Sequence, residues 1–295
     1  RRARRRRIGT RLAAAPRPVP FALLTQCFFG GALGILGWAL LAFGMIFFWV
    51  FAAQSELVPL LQFIGEKEVV VGVVQFVEDT NASEDGYEII KIDYAYSVGR
   101  ETHVGTSYQK AYARVAQGDA AQVEYLLSDP SRSRIVGGQM ALFGAWAAVV
   151  AVIPFAGLVI VAFAIRRGLR HSRLLRTGNL GFGTLVSAEP TGVTINDRPE
   201  YRYRYAFQIG DGREYVAVAK SHLHERMEDE EEEALLYNPA NPNDAIVFDE
   251  MPLKPEIDRN GQFAVSPNAS LKALLLLILP AITLLGNALA LLAFW

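Results

Sequence analysis

Three long runs of apolar residues divide the chain, and the segments between them carry a two-residue alternation of apolar and polar positions. The runs cover residues 21–53, 138–165 and 271–295, and Lys272 is the only charged side chain among them. Each exceeds the roughly 20 residues that cross a hydrocarbon core about 30 Å thick. A helix apolar all round and this long belongs in a membrane rather than in a small soluble core. Three transmembrane helices are therefore expected. The first run is far longer than the 7–15 apolar residues of a signal peptide, so it reads as an uncleaved anchor.

The polar segments repeat each other. Tyr94 stands 22 residues after Gly72, and Tyr205 stands 22 residues after Gly183. In the second copy Tyr201, Tyr203, Tyr205, Phe207 and Ile209 alternate with polar residues. That is the period of a half-buried strand. In the first copy Ile92, Tyr94, Tyr96 and Val98 make the same stripe. Gly99 in one copy, and Gly210 with Gly212 in the other, supply turn residues of a hairpin. Extended strands over 69–77 and 183–188 precede polar connections, and each copy closes on a tail, Pro130 in one matching Pro239 in the other. Four to six strands per copy predict small antiparallel barrels or sandwiches, giving an α and β membrane protein with a repeated β domain.

The predicted organisation is a basic segment over 1–20, helices over 21–53, 138–165 and 271–295, β domains over 54–137 and 177–270, and a basic helical extension over 166–176. Charge adds an orientation. Residues 1–20 hold eight arginines and no acid, whereas residues 54–137 hold 7 basic and 13 acidic residues. Arg166, Arg167, Arg170, Arg173 and Arg176 form a second basic cluster. Basic residues beside spans stay cytoplasmic. The N-terminus and 166–270 are therefore expected inside, 54–137 and the C-terminus outside. Trp49, Trp146 and Trp295 then fall near the outer interface, where indoles prefer to sit. The same arginines also suit anionic lipid head groups. Acidic domains without a phosphate-binding footprint argue against nucleic acid.

The order Gly-x-Val, Tyr-x-Tyr/Phe, a glycine turn, then Tyr-x-Pro-x-Asn-Pro resembles a widespread bacterial domain of unknown function. The phrase Leu174-Leu175-Arg176-Thr177-Gly178 also resembles the approach to such domains. The first tail, Asp129-Pro130-Ser131, departs from the pattern by lacking a second proline. The resemblance implies small β domains, some in tandem, beside transmembrane helices of a bacterial inner membrane, and it implies no catalytic residues.

Candidate chemistry is sparse. Neither a nucleophile elbow nor a His-Glu-x-x-His pattern is present, and the single cysteine, Cys27, lies inside the first apolar run. His222 and His224 would share one face of a strand, with the acidic run 228–233 nearby, and they are the weak metal candidates. Gly30 with Gly34, and Gly144 with Ala148, form small-residue stripes suited to helix packing. Pro154 and Pro280 are expected to kink their helices. The spans lack the ionisable groups of a transport pathway. The expected function is a scaffold, sensor or accessory subunit without a cofactor, bound to the bilayer and to protein partners or to itself. A metal-assisted hydrolase at His222 and His224 is the alternative.

Overall fold

The computed structural model describes residues 11–111, 114–195, 197–210, 212–222, 232–251, 253 and 255–294. The chain divides into two compact units, one of residues 43–155 and one of residues 1–42 with 156–295. It is a mixed α/β protein with three helices long and apolar enough to cross a membrane: Gly31–Ala52, Ala145–Thr177 and Ala269–Ala293.

The first apolar run is not one helix. Helix α1 (Phe21–Phe29) ends where Gly30 becomes extended, and helix α2 (Gly31–Phe47) starts on Gly31 at φ +79°. Only glycine adopts that conformation without strain. A π-helical turn over Phe48–Ala52 and a short helix α3 (Leu57–Gln62) follow. The second span starts late. Residues 138–144 are non-helical, Ala145–Ala151 is a 3-10 helix, and helix α4 runs Val152–Thr177. Pro154 therefore falls at the third residue of α4, directly after the 3-10 helix. Helix α5 (Ala269–Phe294) contains Pro280 in its interior.

The first unit carries strands β1 (Lys67–Glu84), β2 (Tyr87–Val98), β3 (Glu101–Lys110), β4 (Ala120–Leu126) and β5 (Asp129–Ile135) in the order β3-β2-β1-β4-β5. The other carries β6 (Asn179–Ile195), β7 (Arg198–Gln208), β8 (Glu214–Ser221), β9 (Glu233–Asn238) and β10 (Asn241–Val247) in the equivalent order β8-β7-β6-β9-β10. All pairings are antiparallel. The first sheet curls until its edges meet. The Ser107 hydroxyl of β3 accepts the Ile135 N–H of β5 at 3.3 Å, and Tyr108 pairs with Gln139. This makes a nearly closed, five-stranded barrel.

The repeat is exact in register through its first hairpin. Val74 opposes Tyr94 and Leu185 opposes Tyr205, with a bulge following at Gln75 and at the equivalent Val186. A second irregularity lies between Asp79 and Ser83, and again between Pro190 and Thr194. These bulges let β1 and β6 continue far past the predicted 69–77 and 183–188, so the polar connections belong to the strands. Gly72 and Gly183 sit just before the first bulge. A Cβ on Gly72 would meet Ala95 O at 2.8 Å and Val123 Cγ2 at 2.9 Å. A bent strand crossing its neighbours this closely leaves no room for a side chain.

Two of the predicted turn and tail matches shift. Gly99 turns the β2–β3 hairpin at φ +64°, but in the second copy the left-handed glycine is Gly212 at φ +73°, not Gly210. The loop there is five residues rather than two, because Gln208 pairs with Glu214. Tyr125 opposes Glu68 as Tyr237 opposes Asn179. Pro130 therefore matches Pro242, both being second residues of their last strands, and Pro239 matches Leu127 in the preceding turn.

Aromatic residues of the alternating stripes fill the cores of the two sheets. Tyr94, Tyr96, Ile92, Val123 and Tyr125 form one core, and Tyr203, Tyr205, Phe207, Leu235 and Val247 the other. Strands β9 and β10 are buried on both faces. Leu235 points into the core of the second sheet, whereas Leu236 and Ile246 join a third core with Leu23, Cys27, Leu174 and Leu175. Double burial explains why Ala234-Leu235-Leu236 is continuously apolar. A two-stranded ribbon, β11 (Glu256–Ile257) with β12 (Phe263–Ala264), closes that third core through Ile257 and Phe263.

Candidate functional site

The basic cluster lies on the last turns of α4. Arg167 donates to Glu250 Oε1 at 3.2 Å, and Arg170 donates to Asp244 Oδ1 at 2.6 Å and to Ala245 O at 2.8 Å. Arg173 donates to the other Asp244 oxygen at 2.5 Å. Burial pushes the Asp244 carboxyl up, but hydrogen bonds and charge from Arg170 and Arg173 hold it below the usual range. Burial raises the Glu250 carboxyl, with Arg167 opposing. Three of the five arginines thus clamp the second β sheet to α4. Arg166 and Arg176 are exposed and have no ion-pair partner among the described residues.

One arginine of the N-terminal basic segment has a buried role that its neighbours in sequence gave no sign of. Arg17 is 4% exposed. Its guanidinium donates to Gly178 O at 2.8 Å, Leu175 O at 3.2 Å and Ala13 O at 3.1 Å. Two of these carbonyls lie at the C-terminal end of α4, where they lack intrahelical donors and the macrodipole is negative. A cation there completes the helix end.

The break at Gly30-Gly31 opens a cavity of about 660 Å³ within the same unit. One face of α4 lines it from an apolar half, Ile160 and Phe163, to a polar half, Arg167 and His171. Leu33 and the first turn of α2 form the opposite wall, and Glu250 lies at the polar end. His171 is 4% exposed and makes no hydrogen bond among the described residues. Sequence reading did not foresee this site, because its apolar and cationic halves come from separately interpreted segments. The spacing Ile160, Phe163, Arg167, His171 along one helix face was the available signal.

The other candidates are placed as follows. Gly30 and Gly34 pack against Gln26 and Phe29 of their own chain segment, and Gly144 against Trp146. Ala148 lies in the 3-10 helix. Gly34 of α2 thereby abuts the end of α1. Close approach between α2 and α4 occurs at Gly37, whose added Cβ would meet Ile160 Cγ2 at 2.8 Å, and at Gly157, whose added Cβ would meet Leu41 N at 2.5 Å. Gly44 similarly abuts Pro154 N at 2.6 Å. Tyr94 bonds Ser133 Oγ at 2.9 Å, and Tyr96 donates to the Pro130 carbonyl. Both are core ties of the first barrel. His222 follows β8 and is half-buried, whereas His224 and most of the acidic run lie outside the described residues. Among the described residues, no group of three His, Cys, Asp or Glu is arranged to hold a metal.

In the first unit, Glu56 is buried and accepts the Met140 N–H at 2.9 Å, with Arg134 at 3.6 Å. Arg134 also reaches Glu124 Oε1 at 2.5 Å. This network ties the residues after the π-helical turn to β4 and β5.

No family model, curated protein or solved structure matches the chain. Its class therefore rests on its own features: a mixed α/β chain with two β sheets of one topology and three helices of membrane-spanning length.

Proposed function

We propose that the chain is a non-catalytic, multi-pass membrane protein that scaffolds, senses or assembles by holding protein partners on its repeated β modules. One observation carries this reading: an apolar patch on the outward face of the same three strands stays at the surface in both copies. Val73, Ala95 and Val104 stand in one row across β1, β2 and β3, and Val104 is 75% exposed. In the second copy Val186, Val216 and Val218 line a groove flanked by Arg202 and Arg204. Exposed apolar patches rimmed by polar residues mark interaction sites. The aromatic stripes, by contrast, are consumed by the cores.

The orientation proposed from charge puts the N-terminus and the second module in the cytoplasm of a bacterial cell, and the first module and C-terminus outside. Asp85→Cys and Glu214→Cys variants in a Cys27→Ser background test it. An impermeant maleimide on intact cells should label only Asp85→Cys, and the reverse result would invert the topology.

Crosslinking and mass spectrometry of the chain purified from native membranes test the function. The expected result is a stoichiometric protein partner lost in Val71→Glu/Val104→Glu, whose positions are outside the core. Elution alone, or substrate turnover abolished by one polar substitution, would overturn the reading.

A further inference from the structure

We infer that the cavity at the α1–α2 break is a phospholipid site, with the lipid phosphate at the polar end and an acyl chain along Leu33, Ile160 and Phe163. This goes beyond the proposed scaffold role and depends only on the chain lying in a bilayer. Four features converge on it. First, the cavity wall on α4 changes from apolar to polar along a single face, Ile160 and Phe163 giving way to the cationic Arg167 and to His171. An amphiphile has that polarity profile, whereas a free anion needs no apolar half.

Second, Gly31 and Gly34 of the first turn of α2 line the cavity. The leading N–H groups of a helix have no intrahelical partner, and the helix dipole is positive there, which suits a phosphate. Third, His171 is 96% buried by its 4% exposure, lines the cavity and makes no hydrogen bond among the described residues. An imidazole lining a cavity has a ring N–H to donate to a ligand there. Fourth, irregular backbone at membrane depth persists only where it is buried in protein or lines a cavity. The Gly30-Gly31 break meets that condition here.

Glu250 selects among head groups. It bonds Arg167 at 3.2 Å, so a bare anion must compete with it for the guanidinium. A zwitterionic head relieves the competition, its phosphate taking Arg167, His171 and the α2 N–H groups while its ammonium meets Glu250. An ethanolamine-type phospholipid therefore fits better than a glycerol-type one. The volume of about 660 Å³ is within the ordinary range for ligand pockets.

The test is native mass spectrometry of the full chain released from nanodiscs, with thermal-shift titration of delipidated protein by phosphatidylethanolamine, phosphatidylglycerol or inorganic phosphate. Wild type should retain one phosphatidylethanolamine and be stabilised by it. Arg167→Gln and His171→Phe should each weaken retention at least tenfold. Arg166→Gln, an exposed arginine outside the cavity, should retain lipid as wild type does. If a cavity variant fails to fold, Leu33→Trp tests the site from its apolar wall and should block retention. Stabilisation by inorganic phosphate equal to that by lipid would overturn the lipid assignment. Equal retention by the cavity variants and Arg166→Gln would overturn the site. Loss of a protein partner with lipid retention intact would instead bear on the scaffold reading alone.

Discussion

Replacing Arg17 with methionine should open the third core while leaving the cores of the two five-stranded sheets intact. Methionine keeps much of the side-chain bulk but removes every donor. The guanidinium now serves three carbonyls, two of them at the end of α4, at 2.8–3.2 Å. A buried acceptor left without a donor costs about 1–3 kcal/mol. The lost cation at a helix C-terminus adds about 0.3–1 kcal/mol, and up to about 2 when partly buried. Water reaching Ala13 O offsets part of this, so a loss of about 3 kcal/mol is expected, near a 100-fold shift in an opening equilibrium. The single cysteine provides the readout. Cys27 is 7% exposed and packs in the same core as Leu174 and Leu175. Its maleimide labelling under native conditions, where labelling follows transient opening, should rise about 100-fold in Arg17→Met. Arg17→Lys should fall between, since one ammonium cannot reproduce the guanidinium fork. If Arg17→Met labels at the wild-type rate, Arg17 is only one more basic residue of the N-terminal segment.

Four further outcomes follow from the packing and charge. Gly157→Ala should lower the thermal midpoint by an equivalent of about 1–3 kcal/mol, because its Cβ meets Leu41 backbone. Gly286→Ala, with nothing nearby, should not; equal effects would refute close helix contact at Gly157. Tyr94→Phe should cost about 1–2 kcal/mol by stranding Ser133 Oγ, and a Ser133→Ala double mutant should recover part of that loss. Asp244→Asn should cost about 1–2 kcal/mol, less than a fully buried pair because its arginines are half-exposed. The folded Asp244 carboxyl is lowered, so its contribution is present above the ordinary carboxylate pKa near ~3.9 and vanishes as pH falls through the lower folded value. Unfolding measured from about pH 5 down to pH 2 should lose that acid sensitivity in the mutant. Glu250 works in the opposite sense, being raised by burial, so its penalty grows as pH rises through the folded value, and Glu250→Gln should flatten stability between about pH 4 and 7.

The sequence by itself determined the elements whose cause is local. Apolar length set the three candidate spans, and two-residue alternation set the aromatic stripes that became the cores of the two sheets. The repeat was legible because Gly72 and Gly183 obey the same steric demand in both copies. Register, closure and partner choice came only with tertiary structure. Alternation does not say where a bulge lets a strand run on through polar residues, so β1 and β6 were longer than their apolar cores suggested. A proline after a turn looks alike in Pro130 and Pro239 until strand pairing shows that Pro130 answers Pro242. The continuous Ala234-Leu235-Leu236 run breaks the alternation because its second face is covered by Leu174 and Leu175 of α4 and by Leu23 and Cys27 of α1, which ends at the Gly30-Gly31 break. That same break separated the Gly30 and Gly34 stripe and opened the cavity. Arg17 and the clamps on Asp244 were hidden for one physical reason. A charge pattern in sequence sums over its residues, whereas burial and hydrogen-bond geometry pick out individual ones.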